Sequence, residues 1–173
     1  MTSQSRDDII YVDEHDREVG TGEKLLTHQK GILHRAISVF IFNSKGELML
    51  QKRSKTKYHS AGLWSNTCCS HPRPGEDAET AARRRLQEEM GFTCPVREVH
   101  HLLYRATFDN GLTEYEYDHM FVGTSDATPV LNPDEAEDWK LMSPESIMKD
   151  MREHPEIYSY WFKLALPDVI AKR

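Results

Sequence analysis

Three acidic residues stand at every second position, Glu114, Glu116 and Asp118, with Tyr115 and Tyr117 between them. Side chains alternate along an extended strand, so the three carboxylates share one face and the tyrosines the other. Neighbouring carboxylates repel unless a divalent cation or a shared proton holds them together, so this face is either simply solvated or a cation site. A second pair, Arg85 and Glu89, falls in a helical stretch. At about 100° per residue both project from the middle of the stripe set by Ala78, Ala82 and Leu86. Either they form an ordinary i,i+4 ion pair, or the stripe borders a polar site where Glu89 holds a cation and Arg85 an anion. Of the nine histidines, His28, His34 and His71 lie in irregular surroundings, and the spacing of His28 and His34 matches no standard metal motif. Adjacent thiols, Cys68 and Cys69, precede His71. A thiol near a histidine offers a nucleophile, a metal ligand or an acid/base, whereas a buried cysteine is usually inert.

The elements that must position these groups belong to a chain of 173 residues, a length that suits one domain with a sizeable core. At 38% hydrophobic and 29% charged residues, with 3 Trp, 7 Tyr and 6 Phe, it is too polar for a membrane protein and too apolar for a disordered one. The longest apolar stretch, 36–42, is far shorter than the ~20 residues that span a bilayer. The opening MTSQSRDD carries no signal-like pattern, and the expected location is the cytosol. A net charge of −6 argues against nucleic acid as a partner. Three cysteines give no disulfide framework. A monomer is expected.

Patterning gives a loosely ordered start over 1–8 and a strand at Ile9–Val12. It then gives a hairpin of Ala36–Phe42 with Leu48–Lys52, and a long loop from Ser54 to about Gly75. Asp77–Met90 reads as a helix closed by Gly91. Val96–Phe108 and Leu112–Val122 read as a hairpin joined by Asp109-Asn110-Gly111. With Asn110-Gly111 as a two-residue loop, Glu116 falls opposite Arg105 and Glu114 opposite Thr107. Ser143-Pro144-Glu145 starts a further helix, and Glu156–Lys172 is helical with an interruption near Pro167. Strands and helices without regular alternation favour an α/β (α+β) fold, a mixed sheet packed between helices in a single domain spanning 1–173.

The run from Ser70 to Phe92 resembles the Nudix box, a loop-helix-loop motif that holds diphosphates through divalent cations. Glu76, Arg84, Leu86, Glu88, Glu89, Gly91 and Phe92 are in register with it. Ser70 replaces the initial glycine, and Arg85 replaces the first glutamate of the hydrolases' metal cluster. That exchange counts against pyrophosphate hydrolysis, since an arginine there grips a diphosphate instead. So altered, the sequence resembles the type 1 isopentenyl-diphosphate delta-isomerases of the Nudix fold. The resemblance runs from about Glu23 to Trp161, and is most specific at Leu33-His34-Arg35-Ala36, Asn66 to Pro72, Glu114-x-Glu116 and Tyr160-Trp161-Phe162.

The resemblance implies interconversion of isopentenyl and dimethylallyl diphosphate in isoprenoid biosynthesis. It implies a divalent metal (manganese, magnesium or zinc) at His28, His34, His71, Glu114 and Glu116, and a second cation, magnesium, at Glu89. The catalytic pair falls on Cys69 and Glu116, with Tyr104 near Glu116, and the diphosphate contacts on Lys24, Arg53, Lys57 and Arg85. Trp161 would face positive charge developing on the alkene. Glu116 is assigned to protonation and Cys69 to deprotonation, and Cys68 receives no role. The competing reading is a Nudix pyrophosphohydrolase acting on a nucleoside diphosphate derivative.

Overall fold

One strand, β3 (His34–Phe42), organises the molecule, and every residue in it but Arg35 is buried. The computed structural model describes residues 7–173. Ahead of β3 come β1 (Asp8–Val12), β2 (Glu18–Glu23) and α1 (Lys24–Lys30). After it follow β4 (Leu48–Arg53), β5 (Trp64–Ser65), β6 (Cys68–Ser70) and α2 (Ala78–Met90). The chain continues with β7 (Val96–Thr107), β8 (Thr113–Thr124), β9 (Ala136–Met142), α3 (Pro144–Glu153) and α4 (Tyr160–Lys172). β8 runs parallel to β3 along its whole length, from His34↔Glu116 to Phe42↔Thr124. The other edge of β3 is shared end to end by β1 at His34, β6 at Ile37–Val39 and β4 at Phe42.

Both faces of this mixed sheet are covered, which is why β3 reads as a continuous apolar run. Ile37, Val39 and Ile41 pack with Met49 and Phe121 against Ala82, Leu86 and Met90 of α2. Phe40 and Phe42 pack with Leu50, Met120 and Val122 against Phe162, Ala165, Leu166 and Val169 of α4. The sheet between helices is therefore as the patterning predicts. So is α2: Asp77 caps it by accepting from Thr80 N at 2.9 Å, and Gly91 closes it at φ +74°.

Several details differ from the sequence reading. Of the loose start expected over 1–8, residues 1–6 lie outside the described residues, and Asp8 already belongs to β1. β3 and β4 share only the pair Phe42↔Leu48, because β4 turns away to pair with β9 and β5. The expected long loop contains β5 and β6. α4 begins at Tyr160, after a short 3-10 turn at Pro155–Ile157, and runs through Pro167 uninterrupted. Ala165, Leu166 and Val169 are fully buried on the sheet there, and this packing holds the helix across the missing N–H. Among the described residues, no helix is long and apolar enough to cross a membrane.

Candidate active site

The β7–β8 hairpin sets the geometry. Its loop has three residues, Asp109-Asn110-Gly111, closed by Gly111 N to Phe108 O at 3.0 Å and Phe108 N to Leu112 O at 2.9 Å. Gly111 sits at φ +82°, as the left-handed third position of such a loop requires. The loop is thus the full Asp109-Asn110-Gly111 connection, and the register lies one residue from the one that a two-residue Asn110-Gly111 loop would give. Tyr104, not Arg105, faces Glu116, and Ala106, not Thr107, faces Glu114. A one-residue shift exchanges the faces of a strand, so a phenol takes the place a guanidinium would have held. The Tyr104 hydroxyl donates to Glu116 Oε1.

Glu114, Glu116 and Asp118 do share one face, and it is buried rather than solvated. Three imidazoles meet it: His28 from the last turn of α1, His34 from the start of β3 and His71 just beyond β6. His28 Nδ1 bonds to the Lys24 carbonyl at 2.7 Å and His34 Nδ1 to the Ile32 carbonyl at 2.8 Å. A carbonyl only accepts, so both Nδ1 atoms carry the proton and both Nε2 atoms are turned towards the acids. The ligand atoms of His28, His34, His71 and Glu114 lie within 4.8 Å of one another. Glu116 Oε2 is 3.2 Å from His34 Nε2 and 3.0 Å from His71 Nε2. Two atoms of the cluster, His28 Nε2 and Glu114 Oε2, are buried with no hydrogen-bond partner. Orphaned buried groups of this kind are costly, and a divalent cation among imidazole and carboxylate donors would satisfy both. The residues fit a metal.

Ionisation follows from burial set against partners. Burial raises the Glu114 carboxyl, but the imidazoles of His28 and His59 beside it draw it well below the usual range. Burial and Glu114 raise Glu116, and His34 and His71 more than offset them, so it too stays low. Burial holds His71 neutral, down to about 3. Asp118 goes the other way, raised by burial and by Glu116, with one hydrogen bond from Ser38 at 2.7 Å.

β6 pairs antiparallel with β3, setting Cys69 beside Ser38 and Cys68 beside Val39. Alternation then separates the thiols: Cys68 is fully buried in the core under α2, while Cys69 opens on the cleft. Burial pushes the Cys69 thiol up to about 12. Asn66 fixes this corner. Its Nδ2 donates to the Val39 and Cys68 carbonyls, while its Oδ1 accepts from Trp161 Nε1 at 3.2 Å and lies 3.8 Å from Cys69 Sγ.

The cleft, with the solvent space at its mouth, spans about 510 Å³. Cys69, Glu116 and Trp161 line it, together with Lys24, Arg53, Lys57, Arg85 and Glu89. Tyr104, His28 and His34 stand behind its wall, against the acids. The acids, the three histidines, Cys69 and the cationic residues named in the sequence thus meet at one place, while Cys68 lies in the core. Arg53 Nε and Arg85 Nε are buried without a partner, the state expected of guanidinium groups that await an anion. Burial and the nearby Lys57 lower the Lys24 ammonium, so the cations crowd one another. Arg85 and Glu89 form the i,i+4 ion pair of the plainer reading, at 3.0 Å, and both also border the cleft.

Three residues here escaped the sequence reading. Asn66 lay in a quoted segment, but nothing in its spacing gave it a role. Glu135 bridges Lys57 and Arg85, 3.0 Å from the latter, and lies in a stretch with no pattern. His59 sits against Glu114 from a loop whose path no local rule fixes.

Residues 32–162 match the NUDIX domain family. Over 167 residues the chain is 54% identical to "Isopentenyl-diphosphate Delta-isomerase 2" of Aromatoleum aromaticum, covering 96% of this chain and 88% of that protein. It belongs to the isopentenyl-diphosphate Delta-isomerase family, within the NUDIX fold. A family member from Photorhabdus laumondii, "Isopentenyl-diphosphate Delta-isomerase 2", is 51% identical over 155 residues, 90% of this chain and 88% of that one. The fold is also that of DR0079 from Deinococcus radiodurans, with a TM-score of 0.75 at 22% identity over 96% of this chain and 99% of that one. A MutT protein from Methanosarcina mazei follows at a TM-score of 0.66 and 21% identity, over 82% and 96%. Isomerase relatives therefore share sequence with the chain, and DR0079 and the MutT protein share its fold.

Proposed function

We infer that this chain is an isomerase interconverting isopentenyl and dimethylallyl diphosphate, the activity named for its relatives, and that Cys69 and Glu116 exchange the protons. The alkene is unactivated, so isomerisation needs a proton added at the terminal carbon and another removed from the allylic carbon. Two acid/base groups must flank the substrate. One observation carries the reading. Cys69 and Glu116 project from the same sheet face on opposite edges of β3, with the short side chains of Ala36 and Ser38 in the strand between them. Two strand spacings across β3 and four residues along it, from His34 beside Glu116 to Ser38 beside Cys69, set the two backbone positions roughly 16 Å apart, and the side chains reach in from either end over a low floor.

Lys24, Arg53, Lys57 and Arg85 line the same cleft and supply the charge to anchor a diphosphate, whose binding energy then holds the alkene between the two groups. Trp161 is fixed through its indole N–H, and Arg53 lies over its ring at 5.0 Å from the centroid. The indole thereby joins the anchor to the alkene site and offers a π-face to developing positive charge. His28, His34, His71, Glu114 and Glu116 would hold one divalent cation, and Glu89 a second together with the diphosphate. Bound there, the cations would neutralise clustered negative charge and fix the carboxylates' geometry.

In the ligand-free protein the pair rests as a thiol and a carboxylate. Burial keeps the proton on Cys69, and His34 and His71 keep Glu116 ionised. That state equips Cys69 to give the first proton and Glu116 to take one, the reverse of the direction expected from the sequence. Each turnover moves a net proton from one group to the other, so the swapped state serves the return reaction. Tyr104, whose own proton is held by burial and the adjacent carboxylate, keeps Glu116 in place.

The test is product analysis by NMR after incubation with isopentenyl diphosphate and Mg2+ plus Mn2+, and separately with nucleoside diphosphate derivatives. Dimethylallyl diphosphate without inorganic phosphate is the expected result. Phosphate release from the nucleotides without isomerisation would establish the hydrolase instead.

A further inference from the structure

We propose that His59 is a positioning residue for the metal site: it holds Glu114 by one carboxylate oxygen and so fixes how the carboxylate meets the cation. The proposal rests on the metal reading above. Its first support is a division of labour within one carboxylate. His59 Nε2 lies 2.6 Å from Glu114 Oε1, while Glu114 Oε2 is buried and has no partner. An ionised carboxylate only accepts, so the His59 Nε2 carries the proton and donates it. The ligand atoms of His28, His34, His71 and Glu114 form the compact group; His28 Nε2 lies 3.2 Å from Glu114 Oε1, and His59 bonds that oxygen from outside the group. This is the arrangement of an outer histidine that orients a ligating carboxylate.

The second support is that the ring is held from several sides, as a positioning group must be. It stacks on Phe108 with centroids 5.2 Å apart and planes 2° from parallel, and meets Trp161 edge-on at 5.8 Å. The His59 carbonyl accepts from Arg53, and the preceding carbonyl, that of Tyr58, accepts from Asn110 at the tip of the β7–β8 hairpin. Only 7% of the side chain is exposed. The loop bearing His59 is thus tied to the same hairpin that carries Glu114. The unmatched Oε2 and the tightly bonded Oε1 then follow from one cause: His59 fixes the rotation of the carboxylate.

Two substitutions separate the hydrogen bond from the ring. His59→Phe keeps the aromatic wall between Phe108 and Trp161 and removes the donor, whereas His59→Gln keeps an N–H at a similar reach and removes the ring. Mn2+ affinity is measured by competition with a chelating indicator, beside the melting temperature of each metal-free variant. His59→Phe is expected to weaken Mn2+ binding by about 10- to 100-fold, and His59→Gln to recover most of that loss. Unchanged affinity in His59→Phe, or equal weakening in both, would reduce His59 to packing and overturn the proposal while leaving the metal site standing. If the parent bound Mn2+ no better than His34→Ala, the metal reading itself would fall, and the role of His59 with it.

Discussion

Two neighbouring thiols with opposite surroundings show how much a single residue's environment decides. Cys68 and Cys69 alternate across β6, so one packs beneath α2 and the other lines the cleft. Cys69→Ala should lower turnover by about 10²- to 10⁴-fold with little change in melting temperature. Cys68→Ala should keep most activity and lose about 1 kcal/mol of stability. Equal losses of activity would show that the register of β6 is misread. The raised Cys69 thiol makes a further prediction. An unfolded thiol ionises near pH 9, whereas Cys69 keeps its proton to about 12, so the folded state binds more protons in between and loses stability as pH rises through that window. In a Cys94→Ser background, iodoacetamide should therefore label the native protein slowly at pH 8 to 9. Rapid labelling there would mean a thiolate and return Cys69 to the role of resting base. For Trp161, packing and charge stabilisation differ in what they ask of a replacement. Trp161→Phe should retain part of the rate, and Trp161→Leu should lose about thirtyfold in kcat, equivalent to ~2 kcal/mol, with a smaller change in KM. Equal kcat values would leave the indole as core.

At the scale of elements, α2 was legible almost residue for residue, because its apolar stripe, Asp77 cap and Gly91 stop are local signals. β2 and α1 were not. β2 is nearly all exposed, with no alternation to find, and exists because β1 offers it a ladder. α1 has only seven residues and is capped by Glu23, which accepts from Leu25 N and Leu26 N at 2.8 Å, a residue type outside the usual N-cap set. The hairpin β7–β8 was legible in kind and misread by one position. Asn-Gly signals a turn without saying whether two or three residues form it, and the site depends on the answer. Gly111 is the place to test this, because a Cβ there meets nothing within 4 Å and any cost must come from its φ of +82°. Gly111→Val should lose about 1–2 kcal/mol in a denaturant melt, and Gly111→Asn much less, since asparagine tolerates the left-handed region. A valine variant as stable as the parent would contradict the three-residue loop.

Over the whole molecule, the candidate metal cluster and the proposed catalytic pair were legible as residue types but not as a place. His28, His34, His71, Glu114 and Glu116 come from four segments, brought together by the pairing of β3 with both β8 and β6 and by α1 packing beside β8. Chain-wide charge misleads here too: the net charge is −6, yet four cations surround the cleft. Glu135 spans two of them, with its carboxyl drawn down to about 2 although burial opposes this, because Lys57 and Arg85 bind it. The central claim is that two protein groups on either side of β3 add and remove protons on an alkene anchored by its diphosphate. Incubation of isopentenyl diphosphate with the enzyme in D2O, followed by NMR, tests it most directly, because the added proton must come from an exchangeable acid. The account predicts dimethylallyl diphosphate carrying deuterium in a methyl group, a signal lost in Cys69→Ala and kept in Cys68→Ala. Dimethylallyl diphosphate free of deuterium, or inorganic phosphate with no isomerised product, would contradict it.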